Sequence, residues 1–447
     1  MRSTLFFIPH EFFGLPLFGA GWALIALAIC FFIWAIWVYS SASEANLTGA
    51  KGDSHPGHPL TNILAGLPFW GVAAALIWFV LPSIEQTIPM PSGQPPIVLG
   101  LPIRGYGVMV LIGMLSGIAI TTHRGRQVGV SSELIVGLGF WMMIGGVAGA
   151  RIFYIAQKWN DDFASLEFTE RIVAMVKLTE GGLVIYGGIL GGIISGAIYC
   201  VKHRQPVRAM ADLIAPGFLI GLAFGRIGCL LNGCCFGGVC TANLPTIDFP
   251  QGSSPYMVQL DSGQLLGIEI TRRENGRRLP ESIVRVEPGS IADEMGIKSG
   301  DTLQQIRPFV IPNIDGLDKA AAPNVVADVT VNDSMVSLQS SQLPPRSLPV
   351  QPAQIYAAIN AALLCWLIWC IQPWPNRDGI AFLIAIMLKG TSRFLLEGIR
   401  SDEAGQLGTG LSISQLLSIG GVVIAITLIA FILTTPKGRA WRWHQQG

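Results

Sequence analysis

The chain has 447 residues, of which 51% are hydrophobic and 13% charged, and its mean hydropathy is +0.52. Soluble domains carry roughly 25% charged residues, so this composition excludes a chain that is soluble throughout and marks an integral membrane protein. A net charge of +1 leaves no global electrostatic argument for nucleic acid or an acidic partner. A bilayer core of about 30 Å needs roughly 20 apolar residues per helix. Runs of that kind occur at 17–39, 60–82, 104–122, 133–157, 183–201, 211–232, 351–371, 379–398 and 411–434, which predicts a polytopic α-helical protein of about nine spans. The first run carries Trp22, Trp34 and Trp37 without a small-residue cleavage site, so it reads as a span or signal anchor rather than a removed leader.

Basic residues cluster at 123–126, at 202–204 with Arg208, at Arg377, and in the tail at Lys437, Arg439 and Arg442. With nine spans all four groups fall on one side, the cytoplasmic one by the positive-inside rule. Segment 233–350 then faces outward and interrupts the membrane core. Within it, "LLGIEI" and "IVRV" read as strands, "PGSIADEMG" as a short helix opened by Ser290, and "IKSGDTLQQI" as a turn at Ser299–Asp301 into a third strand. This pattern resembles a PDZ domain over 255–340. The resemblance puts Leu265, Leu266, Gly267 and Ile268 in the place of the carboxylate-binding loop and strand, and implies capture of a peptide or protein by strand addition. The alternative is an insertion that only shapes the outer face.

Arg104, Arg151, Arg226, Arg393, Glu397 and Arg400 lie within or at the ends of apolar runs. A central arginine costs about 2.5–3.5 kcal/mol on insertion scales, so these side chains are expected to face a cavity. Arg393, Glu397 and Arg400 share one helix face at i, i+4, i+7. A structural ion pair explains two of them, but one glutamate cannot neutralise the remaining arginines, which points to an anion site. "EGGLVIYGGILGGIISG", residues 180–196, has small-xxx-small spacing, including Gly187 with Gly191 and Gly188 with Gly192. Packing accounts for the glycines. Tyr186 among them is either an interface anchor or a hydroxyl aimed at the cavity.

The stretches "RGYGVMVLIG", "GGVAGARIFYIAQKW", "EGGLVIYGGILGG", "ADLIAPGFLIGLAFGRIGCLLNGCCFG", "QPAQIYAAI", "SRFLLEGIRSDE" and "ISQLLSI" occur in this order. Together they resemble the prolipoprotein diacylglyceryl transferase family over 84–240 and 345–436. Residues 1–83, with two additional helices, lie outside the resemblance, as do the insertion and the cytoplasmic basic tail 437–447. The resemblance implies a multi-pass enzyme of the bacterial inner membrane with the insertion in the periplasm. It would move the diacylglyceryl group of phosphatidylglycerol onto the cysteine thiol of a prolipoprotein signal peptide, forming a thioether and releasing glycerol phosphate. That chemistry needs cations for the growing phosphate charge and a way to deprotonate a thiol, whose reference pKa is about 8.5. It requires no metal or other cofactor.

By motif match, the resemblance places Arg226 and Arg393 on the phosphate and Glu397 as their orienting partner or proton acceptor. Tyr106, Arg151, Asn232, Gln354, Tyr356, Arg400, Gly187 and Gly188 would line the substrate cleft. Tyr186 stands where many members have histidine, Cys229 and Cys234 where the common signature has asparagine and glutamate, and Ala357 where an acidic residue often sits. A related transferase with another acceptor, or a non-catalytic scaffold presenting the PDZ-like part, are therefore the competing classes. Cys229, Cys234, Cys235 and Cys240 form a C-x4-C-C-x4-C cluster. An oxidising periplasm favours one disulfide, for example between Cys234 or Cys235 and Cys240. Structural thiols, a zinc site or a transient carrier thiol are the alternatives; zinc-binding cysteines usually come in pairs two to four apart.

Overall fold

The computed structural model describes residues 4–48, 63, 67, 70–88, 97–176, 181–240, 245–270, 281–311, 324–398 and 411–441. The chain divides into two compact units, one essentially Thr4–Arg104 and the other formed by Gly105–Leu178 with Gly182–Gly447. In the first unit, β1 (Thr4–Ile8), β5 (Ile97–Arg104) and β4 (Gln86–Ile88) form an antiparallel sheet in that spatial order. The hairpin β2 (Glu11–Phe12) to β3 (Leu15–Pro16) turns at Phe13 and Gly14, both with positive φ, as a two-residue turn of matching twist requires. Helix α1 (Trp22–Thr48) and the shorter apolar helix α2 (Trp70–Ile84) complete it. The predicted span 60–82 is thus described mainly from Trp70 onward.

The second unit holds helices α3 (Gly105–Gln127), α4 (Ser132–Gln157), α5 (Phe168–Val176), α6 (Ile185–Lys202) and α7 (Val207–Asn232), followed after the insertion by α10 (Ala353–Ile371), α11 (Ile380–Glu397) and α12 (Ile413–Thr434). Among the described residues, seven helices are long and apolar enough to cross a membrane: α1, α3, α4, α6, α7, α10 and α12. Helix α11 fills the predicted run 379–398, and Lys389, Arg393 and Glu397 put three charges into its 18 residues.

Two glycine seams set the packing. Helix α4 lies along α6, and a Cβ on Gly149 or Gly191 would collide with the backbone carbonyl of Gly187 or Gly145. Helix α3 lies along α7, where a Cβ on Gly117 would stand 2.7 Å from the Gly217 oxygen. Such contacts exclude any side chain and bring backbones together, the main source of helix association where lipid removes the hydrophobic drive. Helix α10 packs on α7 and α11, and α11 on α12. Local signals start and stop these helices: Ser131 caps α4, a Ser412–Gln415 capping box opens α12, and Gly233 at φ 73° ends α7. Asp212 in the first third of α7 is buried and accepts from the amides of Gly379 (2.7 Å) and Phe382 (2.8 Å), so it caps α11 from a neighbouring helix.

The insertion enters and leaves through a stapled stem. Val350 bridges both Val239 and Ile247, and Pro250 bridges Arg346. Beyond it, α8 (Ser254–Asp261) covers a five-stranded antiparallel sheet in the order β10 (Ser334–Leu338), β9 (Asn324–Val331), β8 (Thr302–Ile311), β7 (Glu281–Val286), β6 (Ile268–Ile270). The short helix α9 (Ile291–Glu294) is opened by Ser290, whose hydroxyl accepts from the Asp293 amide. Tyr256, Leu260, Leu266, Ala292, Val325 and Ala327 form a fully buried apolar core.

Candidate active site

The residues that converge lie at one end of the bundle, on α3, α7, α10, α11 and α12. Arg226 projects from the last two turns of α7. Tyr106, in the first turn of α3, packs its ring against Gly228, where an added Cβ would meet it at 3.0 Å. The Tyr106 hydroxyl lies in the electrostatic field of Arg226, Cys229, Cys234 and Cys235. Helix α11 adds Lys389, which lies within electrostatic reach of both Arg226 and Arg393. Three cations from two helices therefore share one region, and among the described residues neither the Arg226 nor the Lys389 side chain has a hydrogen-bond or ion-pair partner. Arg393 donates to the Ser414 hydroxyl at 2.9 Å, which fixes it against the first turn of α12. Glu397, 7% exposed, is buried one helical turn further along the same face. Arg400 lies outside the described residues.

Lys389 is the residue that sequence reasoning missed. Its signal was available: it is a charged residue in the middle of "AIMLKGTSRFLLE", four residues before Arg393 and so on the same face. Asp212 in "ADLIAPG" was missed for the same reason, although its role is to cap α11.

The cysteines meet at the end of α7. The Sγ atoms of Cys229, Cys234 and Cys235 all lie within 4.8 Å of one another. Cys240 stands apart from this group and its sulfur accepts from Gln351 Nε2 at 3.7 Å. None of the eight cysteines is in a disulfide. Cys235 has φ 58°, a left-handed backbone that an L side chain adopts only under constraint. Gln354, 1% exposed, supplies that constraint by donating to the Cys234 carbonyl at 2.9 Å. The Cys234 thiol is stabilised as a thiolate by hydrogen bonding to Cys229, but the Cys235 thiol and burial outweigh this and hold it above its ordinary pKa. The Cys234 thiol donates to the Cys229 carbonyl at 3.8 Å, and Asn232 closes α7 two residues before it. Tyr356 is partly buried two residues beyond Gln354 on α10.

Other predicted residues sit elsewhere. Arg151 on α4 donates to the carbonyls of Ala174 (2.6 Å), Met175 (3.0 Å) and Gly182 (3.0 Å), with its guanidinium 5.1 Å from the Tyr154 ring. It clamps the end of α5 and the approach to α6. Gly187 is buried in the α4–α6 seam, where a Cβ would collide with the Gly149 carbonyl, and Gly188 is in ordinary contact with α4. Tyr186, 42% exposed, occupies the first turn of α6. In the insertion, the amides of Leu266, Gly267 and Ile268 donate to the carbonyls of Gly263, Gln264 and Gly263, so the loop closes on itself. Leu265 and Leu266 are core residues, and β6 is the outer strand of the sheet.

A sequence model described as prolipoprotein diacylglyceryl transferase matches residues 96–431. The chain belongs to this family. It is 34% identical to the phosphatidylglycerol–prolipoprotein diacylglyceryl transferase of Rhodopirellula baltica over 460 residues, covering 97% of this chain and 89% of that protein. It is 35% identical to the Clostridium tetani protein of the same name over 329 residues, covering 74% of this chain and 93% of that one. The Rhodopirellula alignment runs through both the N-terminal unit and the insertion. As a family member, the chain carries its half-buried cations on α7 and α11 inside the matched region, while α1 and α2 lie before it.

Proposed function

We propose that the chain transfers the diacylglyceryl group of phosphatidylglycerol to the cysteine thiol of prolipoprotein signal peptides. The observation that carries this reading is the convergence of Arg226, Lys389 and Arg393 in a transferase-family bundle. In the reaction, the acceptor sulfur bonds to the glyceryl carbon and the carbon–oxygen bond to phosphate breaks. The electron pair leaves on the phosphate, so a monoanionic diester becomes a more highly charged glycerol phosphate. Arg226 and Arg393 hold the phosphate through charge-assisted hydrogen bonds, and Lys389 adds a third positive charge where the negative charge grows. Glu397 orients the cations or accepts a proton, and Tyr106, Asn232, Gln354 and Tyr356 shape the cleft. Arg151, Gly187 and Gly188 keep the α4–α6 side of that cleft in place, with Tyr186 at its edge, and Arg400 is the remaining cation of the sequence motif.

The same reading gives nine spans, with α2 and α11 joining the seven apolar helices. The four basic groups then face the cytoplasm, and the insertion faces the periplasm of an inner membrane. The insertion is PDZ-like and receives a precursor or partner along the β6 edge, since the loop amides are engaged within the loop itself. The test is turnover by the purified protein in vesicles containing phosphatidylglycerol and a lipobox peptide, followed by mass spectrometry. Diacylglyceryl thioether together with glycerol phosphate is the expected result. Phosphatidylglycerol binding without either product would mean a scaffold. Glycerol phosphate release dependent on some other acceptor would mean a related transferase, a reading favoured by the cysteines at 229 and 234.

A further inference from the structure

The cysteine trio is the one feature of the site that the phosphate chemistry leaves unused. Three sulfurs from two short stretches approach within 4.8 Å of one another at the end of α7. Tetrahedral zinc has Zn–S bonds of about 2.3 Å, which puts bound sulfurs roughly 3.8 Å apart, so closure on an ion asks for a contraction of about 1 Å. The turn that carries them is already pinned. Gly233 ends the helix at φ 73°, the Cys234 amide donates to the Cys229 carbonyl at 3.1 Å, Gln354 holds the Cys234 carbonyl, and Cys235 is kept left-handed at φ 58°. A disulfide would engage two sulfurs and leave the third beside it, whereas a thiophilic ion engages all three. Zn2+ with three thiolates carries a net charge of −1, and Arg226 lies three residues before Cys229 on α7, one turn away on the same helix.

We propose that Cys229, Cys234 and Cys235 bind one Zn2+ ion, leaving a fourth position that takes the acceptor thiol. The second half of this inference rests on the transferase reading given above; the first half does not. A thiol on zinc is deprotonated outright, which would meet the need for a base where Tyr186, with a reference pKa near 10, is a weak one. The acceptor thiol loses its proton to solvent on coordination. Its sulfur then attacks the glyceryl carbon as the carbon–oxygen bond breaks towards phosphate, and the neutral thioether, a weaker ligand, leaves the ion. No electron transfer is involved.

The experiment uses the full-length protein purified under reducing conditions without added metal. Elemental analysis of the wild type should find about one zinc per chain, falling to background in Cys234→Ser and Cys235→Ser and unchanged in Cys370→Ser, an exposed thiol outside the cluster. Cobalt exchanged into the wild type should show thiolate-to-metal charge-transfer absorption that grows when a lipobox cysteine peptide is added and stays constant with its serine counterpart. The cobalt spectrum needs no variant to fold. Background zinc with no cobalt charge-transfer band, or a disulfide within the trio in a parallel preparation made without reductant, would overturn the site. A band that ignores the cysteine peptide, or full turnover after a chelator has stripped the metal, would overturn the acceptor role. Zinc bound with no turnover on phosphatidylglycerol would leave the metal site standing and count against the transferase reading instead.

Discussion

In the insertion the fully buried side chains include Tyr256, Leu260, Leu266, Val325 and Ala327, the contents of a water-soluble core. Along the α4–α6 and α3–α7 seams the contact is made by glycine, and the large apolar side chains of those helices, such as Phe140, Trp141, Ile193 and Phe218, point outward. The two regions answer different solvents. Water drives apolar surface inward in the insertion. Lipid does not, so the bundle is held by close backbone approach and by polar groups with fixed partners, as at Asp212 and Arg151. Its interior is thereby left available for charge.

The largest effect that separates the regions is steric. Gly149→Leu forces a side chain into the carbonyl of Gly187, and the expected outcome is loss of the folded, monodisperse protein in detergent, read by size-exclusion chromatography. Leu266→Ala should instead destabilise the insertion alone, by about 2–5 kcal/mol, while transfer to a short lipobox peptide continues. A matching fall in peptide turnover would show that the two regions are not energetically separate. Deleting 255–340 sharpens the same contrast, because the stem bridge Pro250–Arg346 holds the cut ends together. Modification of whole precursor proteins should fall more than modification of short peptides, and equal loss on both would sink a receptor role for the insertion.

Asp212→Asn keeps the shape but offers one acceptor oxygen to the two amides of Gly379 and Phe382. The expected loss is about 1–3 kcal/mol of stability, visible as a lower melting temperature with the peptide reaction intact below it. The smallest effect concerns pH. The Lys298 amide and the Asn332 side chain hold the exposed Asp301 carboxyl below its ordinary value. Its contribution is present above the unfolded pKa of about 3.9 and is lost as pH falls through the lower folded value. The melting difference between wild type and Asp301→Asn should therefore persist at neutral pH and close on acidification below about 3.9.

The apolar runs were legible because length and hydropathy are local, and α3, α4, α6, α7, α10 and α12 fall where the runs predict. Ser290 as the opening of α9 was legible for the same reason. What a charged residue does was less so. Arg151 reads as an open cation in the sequence, but the carbonyls of Ala174, Met175 and Gly182 that occupy it come from segments whose approach no local pattern reveals. The cysteine spacing showed a cluster of four but not which three sulfurs meet, because the left-handed turn at Cys235 and the restraint by Gln354, more than a hundred residues away, shape that turn. Lys389 is legible in the chain itself, as a charge within an apolar run one helical turn before Arg393.

The central claim is that the cations of α7 and α11 act on charge that forms during the reaction. The measurement that tests it most directly is the rate of glycerol phosphate release, against the affinity for phosphatidylglycerol, in wild type, Arg226→Ala and Lys389→Met. The account predicts that Arg226→Ala lowers the maximal rate by about 10²–10³-fold, and Lys389→Met by less, with lipid affinity changed far less than the rate. Loss of lipid affinity with the maximal rate preserved would contradict it and reduce the cations to headgroup anchors.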